Sequence, residues 1–381
     1  MPPPASHSDL PPSRLHSLDA WRGICAVVVF LSHWHPWSDF PPVGQIERFI
    51  REMGAQANSA FMTLFWPIGG HHPAVIAFFV LSGFCIHYPF ERRAMLGQPS
   101  MSWPVYFKRR FFRIMPVYWA GCALGLVFVA AQTYAPARSA LLDLHAGCSL
   151  EDIAVRFTAI AGIYPREIFA GNYILTTVTV EILMYVAYPI IHYHAMRGRW
   201  RGLGLTFVAL HLFAILLLRW FTPYWVFNSV FMFGIFWFSG AYAAHLHLAG
   251  RNRARAWWPL AAYALFLVVK SLPYFYGLNL LKQAACALVA YLGILWVVRR
   301  EHDSTAAPLS GRRGALVRWL ADISYSLYAL HTPAVMLASW ALLHLGLAHY
   351  SLQVAATLAA SAVAVLGTHY LIERRFYRPT G

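Results

Sequence analysis

Ten long apolar runs alternate along this chain with short polar connections. Their approximate spans are 17–36, 71–90, 113–133, 172–194, 203–220, 225–248, 257–273, 279–298, 321–343 and 350–372. Each is near the roughly 20 residues that a helix needs to cross the hydrocarbon of a bilayer. The pattern predicts an all-α, polytopic integral membrane protein of about ten transmembrane helices.

The polar positions between the runs give an independent reading. One set of alternate connections holds Arg92, Arg93, Lys108, Arg109, Arg110 and Arg113, then Arg197, Arg199 and Arg201, and later Arg251, Arg253, Arg255, Arg299, Arg300 and Arg312. The other set is poor in cations. Lys and Arg concentrate in cytoplasmic loops, so the bias predicts both termini in the cytoplasm and an even number of spans. Two outer connections are long, roughly 37–70 and 134–171, and LEDIAVRFTAIAGIYPREIF in the second predicts a short interfacial helix. The expected organisation is a proline-rich cytoplasmic tail at 1–16, a transmembrane domain at 17–373 and a short cytoplasmic tail at 374–381, with no second soluble domain. The first run carries Arg22 and lacks a small-residue cleavage site, so it reads as a retained helix.

Composition agrees. Hydrophobic residues make up 59% and charged residues 12%, about half the charge usual in a soluble domain. A net charge of +15 raises nucleic acid as a partner. The cations sit in short inter-helix clusters rather than along an aromatic-interleaved groove, which points to topology instead. The five cysteines form no CxxC pair, so neither a disulfide framework nor a zinc site is indicated.

Against this apolar background a few polar residues stand out. The first run reads SLDAWRGICAVVVFLSHWHP. Arg22 and His33 are eleven residues apart, about three turns, so they share a helix face roughly 16 Å apart along the axis. Asp19 can pair with Arg22 at i, i+3. Ionisable groups in a span are costly and usually face a bundle interior or wet cavity, although Arg22 could instead snorkel to the interface. Ser82-Gly83 interrupts the second run, which suggests a close backbone approach, a local break or simple packing through small residues. Arg109, Arg110 and Arg113 cluster where the third segment begins, a pattern suited to phosphates or to plain cytoplasmic charge. Glu181 is the sole carboxylate of the fourth run and needs a partner, with Arg22 or a histidine as plausible mates. In the ninth run, Tyr325, Tyr328 and His331 follow one another at i, i+3 and can line a polar cavity or bond neighbouring helices.

Other chemistries find no support. His33/His35, His192/His194 and His245/His247 lie two residues apart, so on a helix they point in opposed directions and do not chelate one metal. Neither HExxH, nor a phosphate loop, nor a nucleophile elbow, nor a dinucleotide fingerprint occurs, and no metal is implied.

Six segments together resemble the acyltransferase family 3 membrane proteins. Leu18–His33, LDAWRGICAVVVFLSH, keeps that family's Arg-x10-His spacing, and Phe78–Phe84 reads FFVLSGF as the family does. Arg109–Tyr118, RRFFRIMPVY, matches its RRxxRIxPxY element. The Glu181 segment keeps Glu181, Tyr185 and Pro189 but lacks the leading aromatic residue. Ser324–Pro333 matches SYSLYLLHxP, and Glu373–Phe376 matches the closing ExPF with Arg375 in place of proline. The order and spacing are the family's from Leu18 to Phe376.

The resemblance implies a transferase in a bacterial inner membrane that moves an acyl group, most often acetyl, from cytoplasmic acyl-CoA to a sugar hydroxyl. The acceptor would belong to a surface polysaccharide, glycolipid or exported glycoside. No cofactor would be bound permanently, since acyl-CoA is a substrate. His33 and Arg22 would be catalytic, Arg109, Arg110 and Arg113 would bind the donor, and Asp19, Ser82, Gly83, Glu181, Tyr325, Tyr328 and His331 would support the cavity. His33 would act either as a general base or as an acyl-imidazole carrier. The competing class is a transporter or flippase for a lipid-linked or small anionic solute, with Arg22, Glu181 and His33 as a charge relay. Internal inverted repeats, common in transporters, are not visible. An inactive membrane scaffold is the third reading.

Overall fold

The computed structural model describes residues 15–33, 40–42, 44–49, 51–53, 56, 73–164, 168–214, 216, 230–272, 276–303 and 311–376. The tail at 1–14, most of the 37–70 connection, the joined ends of the fifth and sixth predicted spans, and residues 377–381 lie outside them. Among the described residues the chain is all helix and turn, with no strand.

The helices are α1 (His16–His33), α2 (Pro73–Met95), α3 (Trp103–Tyr134), α4 (Ala140–Ala146), α5 (Leu150–Phe157), α6 (Leu175–Ala195), α7 (Trp200–Phe213), α8 (Val230–Leu248), α9 (Trp257–Ser271), α10 (Tyr276–Asp303), α11 (Gly311–His344), α12 (Tyr350–Thr368) and α13 (Arg374–Phe376). A single π turn, His369–Glu373, joins the last two. Six stretches among the described residues are long and apolar enough to cross a membrane: Pro73–Met95, Trp103–Tyr134, Leu175–Ala195, Leu281–Asp303, Gly314–His344 and Tyr350–Phe376. Trp257–Ser271 is apolar but shorter. The 150–169 stretch expected to hold a short interfacial helix holds α5, and a further short helix, α4, precedes it in the same connection. Ser139 caps α4, and Ser149 with Asp152 forms a reciprocal capping box on α5.

The polar pattern is inverted relative to a soluble protein. On α12 the buried face carries Gln353, Thr357 and Ser361, one turn apart, while Leu352, Leu358 and Val363 are exposed. Such a helix suits a hydrocarbon solvent, in which side-chain hydroxyls bond within the bundle.

The chain divides into two compact units. The first takes Met1–Cys25, Ile76–Met101 and Phe236–Asp322. Here α2 and α8 cross in near backbone contact. A Cβ placed on Gly83 would lie 1.8 Å from the carbonyl oxygen of Trp237, and one on Gly240 would lie 1.8 Å from that of Val80. Gly83 therefore permits a close approach, and α2 runs through it unbroken. The buried Trp237 indole N–H donates to Ser82 Oγ at 3.2 Å beside this crossing. At the start of α1, Glu301 of α10 accepts from the backbone N–H groups of His16 (2.8 Å) and Ser17 (3.0 Å) and from the Ser17 hydroxyl. A carboxylate so placed satisfies orphan donors and complements the positive end of the helix.

The second unit takes Ala26–Val75, Ser102–Ile235 and Ile323–Gly381. Three of its helices contain an internal proline, Pro116, Pro189 and Pro333, whose missing N–H leaves the carbonyl four residues earlier without its helical donor, and at the last two a side chain supplies one. Pro189 in α6 releases the Tyr185 carbonyl, which accepts from the Tyr106 hydroxyl of α3 at 3.3 Å. Pro333 in α11 releases the Ala329 carbonyl, which accepts from the Asn172 amide at 2.9 Å. The same amide also donates to the Gly121 carbonyl of α3 at 3.1 Å. A Cβ at Gly121 would sit 2.8 Å from Ala329 O, so glycine is what lets α3 and α11 meet there.

Candidate active site

Arg22 lies in the second turn of α1. Its guanidinium donates to the Ala321 carbonyl of α11 at 3.0 Å and pairs with Asp19 at 3.4 Å, the i, i+3 partner that the sequence spacing predicted. Gly23 makes the reach possible, because a Cβ there would crowd Leu320 and Ala321 at 3.1–3.2 Å. Arg22, half-buried, is thus held by a carbonyl of a packed helix as well as by its carboxylate. Ser82 and Gly83, in the same unit, serve the α2–α8 crossing.

In the second unit, His33 and His331 form a pair. His33 Nδ1 and His331 Nε2 are 3.0 Å apart, and the rings stack with centroids 5.2 Å apart and planes 22° from parallel. His331 is fully buried, and its Nδ1 lies 2.8 Å from the Leu327 carbonyl one turn earlier. Aromatic edges close in around both rings: Phe30 and Tyr328 meet His331 at 5.9 and 6.4 Å, and Tyr173 meets His33 at 5.8 Å. The Tyr328 hydroxyl bonds Thr177 Oγ1, and the Tyr325 hydroxyl donates to the Ile114 carbonyl at 3.1 Å, so the tyrosines of α11 tie it to α6 and α3.

In the same unit, the Arg110 guanidinium sits 5.8 Å from the ring centres of Tyr106 and Tyr185. These are cation–π distances. Its Nε is buried with no hydrogen-bond partner among the described residues. Tyr185 in turn donates its hydroxyl to Glu181. Glu181 thus has a hydroxyl one turn on along its own helix, at i, i+4, as one partner. Arg109 is exposed and Arg113 half-buried. All three arginines fall within the third segment's first turns, since α3 begins at Trp103, ten residues earlier than the apolar run suggested.

A family model described as an acyltransferase domain matches residues 15–372. The chain belongs to acyltransferase family 3. No curated protein and no solved structure matches it. The span of the family match contains every site residue proposed from the sequence, and it establishes this chain as a family 3 membrane acyltransferase.

Several polar residues of this family 3 chain escaped sequence reading. Arg156 of α5 is fully buried, donates to Thr176 Oγ1 at 3.1 Å and to the Ile168 carbonyl, and gives up its own carbonyl to the Tyr118 hydroxyl at 2.6 Å. Burial weakens its hold on its proton. It fastens the connection between α3 and α6 to both helices. Asn172, just ahead of α6, carries the two carbonyl bonds given above. Glu91 of α2 accepts from His87 at 2.9 Å and from His245 on its other oxygen. The signals for these were weak: a lone arginine in an amphipathic stretch, an asparagine in a turn, and a carboxylate with one histidine four residues before it and the other 154 residues away.

Proposed function

We propose that this family 3 acyltransferase moves an acyl group, most often acetyl, from cytoplasmic acyl-CoA to a hydroxyl of a sugar. The sugar belongs to a surface polysaccharide, a glycolipid or an exported glycoside. The protein spans a bacterial inner membrane about ten times with both termini in the cytoplasm, as the alternation of its cationic loops supports. The observation that carries the reading is the His33 imidazole, on the helix with the family's Arg-x10-His spacing, hydrogen-bonded to a second imidazole inside the second unit at 3.0 Å.

The chemistry follows from residue types. An imidazole removes the proton of the acceptor hydroxyl as that oxygen attacks the thioester carbonyl carbon. The C–O bond forms, the C–S bond breaks, and the CoA sulfur leaves with the proton returned by the imidazole. In a two-step variant the His33 nitrogen attacks the thioester carbon as the C–S bond breaks and CoA leaves as its thiolate, and the sugar oxygen then displaces the imidazole while its proton goes to that thiolate. Arg22 holds a donor phosphate or polarises the carbonyl. Arg109, Arg110 and Arg113 gather the CoA phosphates, with Arg110 the best placed because flanking tyrosines hold its plane for bidentate bonding.

The acceptor is identified by mass spectrometry of surface glycans from cells with and without the gene, where the reading expects the loss of one acyl mass. The site is tested by purified His33→Ala, which should lose transfer by at least about 100-fold. Wild-type transfer by that variant would refute both versions of the mechanism. A labelled acyl-protein that disappears in the variant would select the two-step route.

A further inference from the structure

The acyl-transfer reading gives His33 a reacting nitrogen without saying which one, and the surroundings of His331 decide it. A neutral imidazole carries one N–H and one lone pair, so each hydrogen bond fixes the role of the other nitrogen. The Leu327 carbonyl can only accept. Its 2.8 Å contact with His331 Nδ1 therefore places the His331 proton on Nδ1. His331 has no exposed surface, and a charged imidazolium at such a depth would be costly, so its Nε2 carries a lone pair. That lone pair faces His33 Nδ1 at 3.0 Å, and His33 Nδ1 must be the donor.

We infer that His331 is a positioning residue which locks His33 in its Nδ1–H tautomer, making Nε2 the nitrogen that takes the acceptor proton or carries the acyl group. This inference rests on the acyl-transfer reading and deepens it. The order of bonds runs from the Leu327 carbonyl through His331 Nδ1–H, His331 Nε2 and His33 Nδ1–H to His33 Nε2. When Nε2 takes the hydroxyl proton, His33 becomes an imidazolium whose Nδ1–H still points at His331, and it returns to neutral as the CoA sulfur accepts the Nε2 proton. His331 gains and loses no proton in the cycle. The same logic works with a buried carboxylate in serine hydrolases, but a neutral partner leaves His33 with no fixed anion to hold its positive form.

The stacked geometry supports a holding role. The rings lie 22° from parallel, and the Tyr173, Phe30 and Tyr328 edges restrict their rotation. A side chain that only filled space would need neither the aligned nitrogens nor the Leu327 carbonyl.

The test compares His331→Ala, His331→Gln and His33→Ala in purified enzyme with acetyl-CoA and the acceptor found by glycan analysis. Alanine removes the acceptor for His33 Nδ1–H, whereas the glutamine carbonyl can replace the His331 Nε2 lone pair. His331→Ala should lower kcat about 100-fold with KM for acetyl-CoA unchanged, and His331→Gln should recover most of that loss. In lipid-embedded wild-type protein with 15N-labelled histidine, His33 Nδ1 should give a pyrrole-like resonance and Nε2 a pyridine-like one. That spectrum decides the inference even where a variant fails to fold. A pyridine-like Nδ1 in the wild type, or equal kcat values for His331→Ala and wild type beside an inactive His33→Ala, overturns the inference and leaves the acyl-transfer reading intact. Full activity of His33→Ala overturns both.

Discussion

The α2–α8 crossing can be opened by a single methyl group. An alanine Cβ at position 83 would lie 1.8 Å from Trp237 O, 2.8 Å from Trp237 C and 3.0 Å from Ala241 N. These are backbone atoms, so no side chain can swing aside. Restoring ordinary contact of about 3.4 Å requires the helices to part by roughly 1.5 Å, and overpacking of this kind costs about 1–3 kcal/mol. Parting also stretches the Trp237–Ser82 bond from 3.2 Å, which adds about 1 kcal/mol when it breaks. Gly83→Ala should therefore lose about 2–4 kcal/mol in a reversible denaturation titration of the protein in mixed micelles. Gly240→Ala meets Val80 O at the same distance and should cost a similar amount. Because one separation relieves both clashes, the double variant should cost clearly less than the two singles added. Gly202→Ala in α7 is the control, since nothing lies within 4 Å of its added carbon. Free of any clash, it should be neutral or gain up to about 1 kcal/mol from reduced backbone freedom. If Gly83→Ala and Gly240→Ala behave like Gly202→Ala, the crossing is not a near-backbone contact and the argument fails.

Two further outcomes follow from the second unit. Arg110→Ala should raise KM for acyl-CoA with little change in kcat, and Arg110→Lys should restore it only in part, because an ammonium lacks the planar fork; steady-state kinetics over donor concentration would show it, and an unchanged KM would assign the cluster to topology alone. His145 of α4, buried against Phe169 and Tyr173, has its imidazolium form pushed down to about 4 by burial. The unfolded chain protonates near 6.5, so between these values it binds the proton that the folded state refuses, and stability falls as pH drops through that window by up to roughly 3 kcal/mol. Denaturation at pH 7 and pH 5 should show the loss in wild type and a flatter response in His145→Gln.

What could be read from the sequence was local. The Asp19–Arg22 pair, the close approach at Gly83 and the helical character of the 150–157 stretch all follow from spacing within a few residues, and each is present. Contacts that join distant segments were out of reach. Helical periodicity tells which residues share a face but not which helix that face meets, so His33 and His331, 298 positions apart, could be singled out separately and not as a pair. For Glu181 the apolar setting calls for a partner, and helical spacing already offers one in the Tyr185 hydroxyl on the next turn. Arg156 was overlooked because a lone cation in an amphipathic stretch reads as a solvated face. The start of α3 was placed too late because the cationic residues from Lys108 to Arg113 mask an otherwise helical stretch from a hydropathy reading.

The proline at position 333 also bears on how the molecule is assembled. A span with a complete ladder can enter lipid as a finished object, but α11 enters with one oxygen at Ala329 that its own backbone will never serve, and hydrocarbon offers no substitute. The donor comes from Asn172, synthesised some 157 residues earlier and waiting at the lip of another helix. The late span is therefore completed by a group that the early part of the chain supplies, at an oxygen two residues before His331.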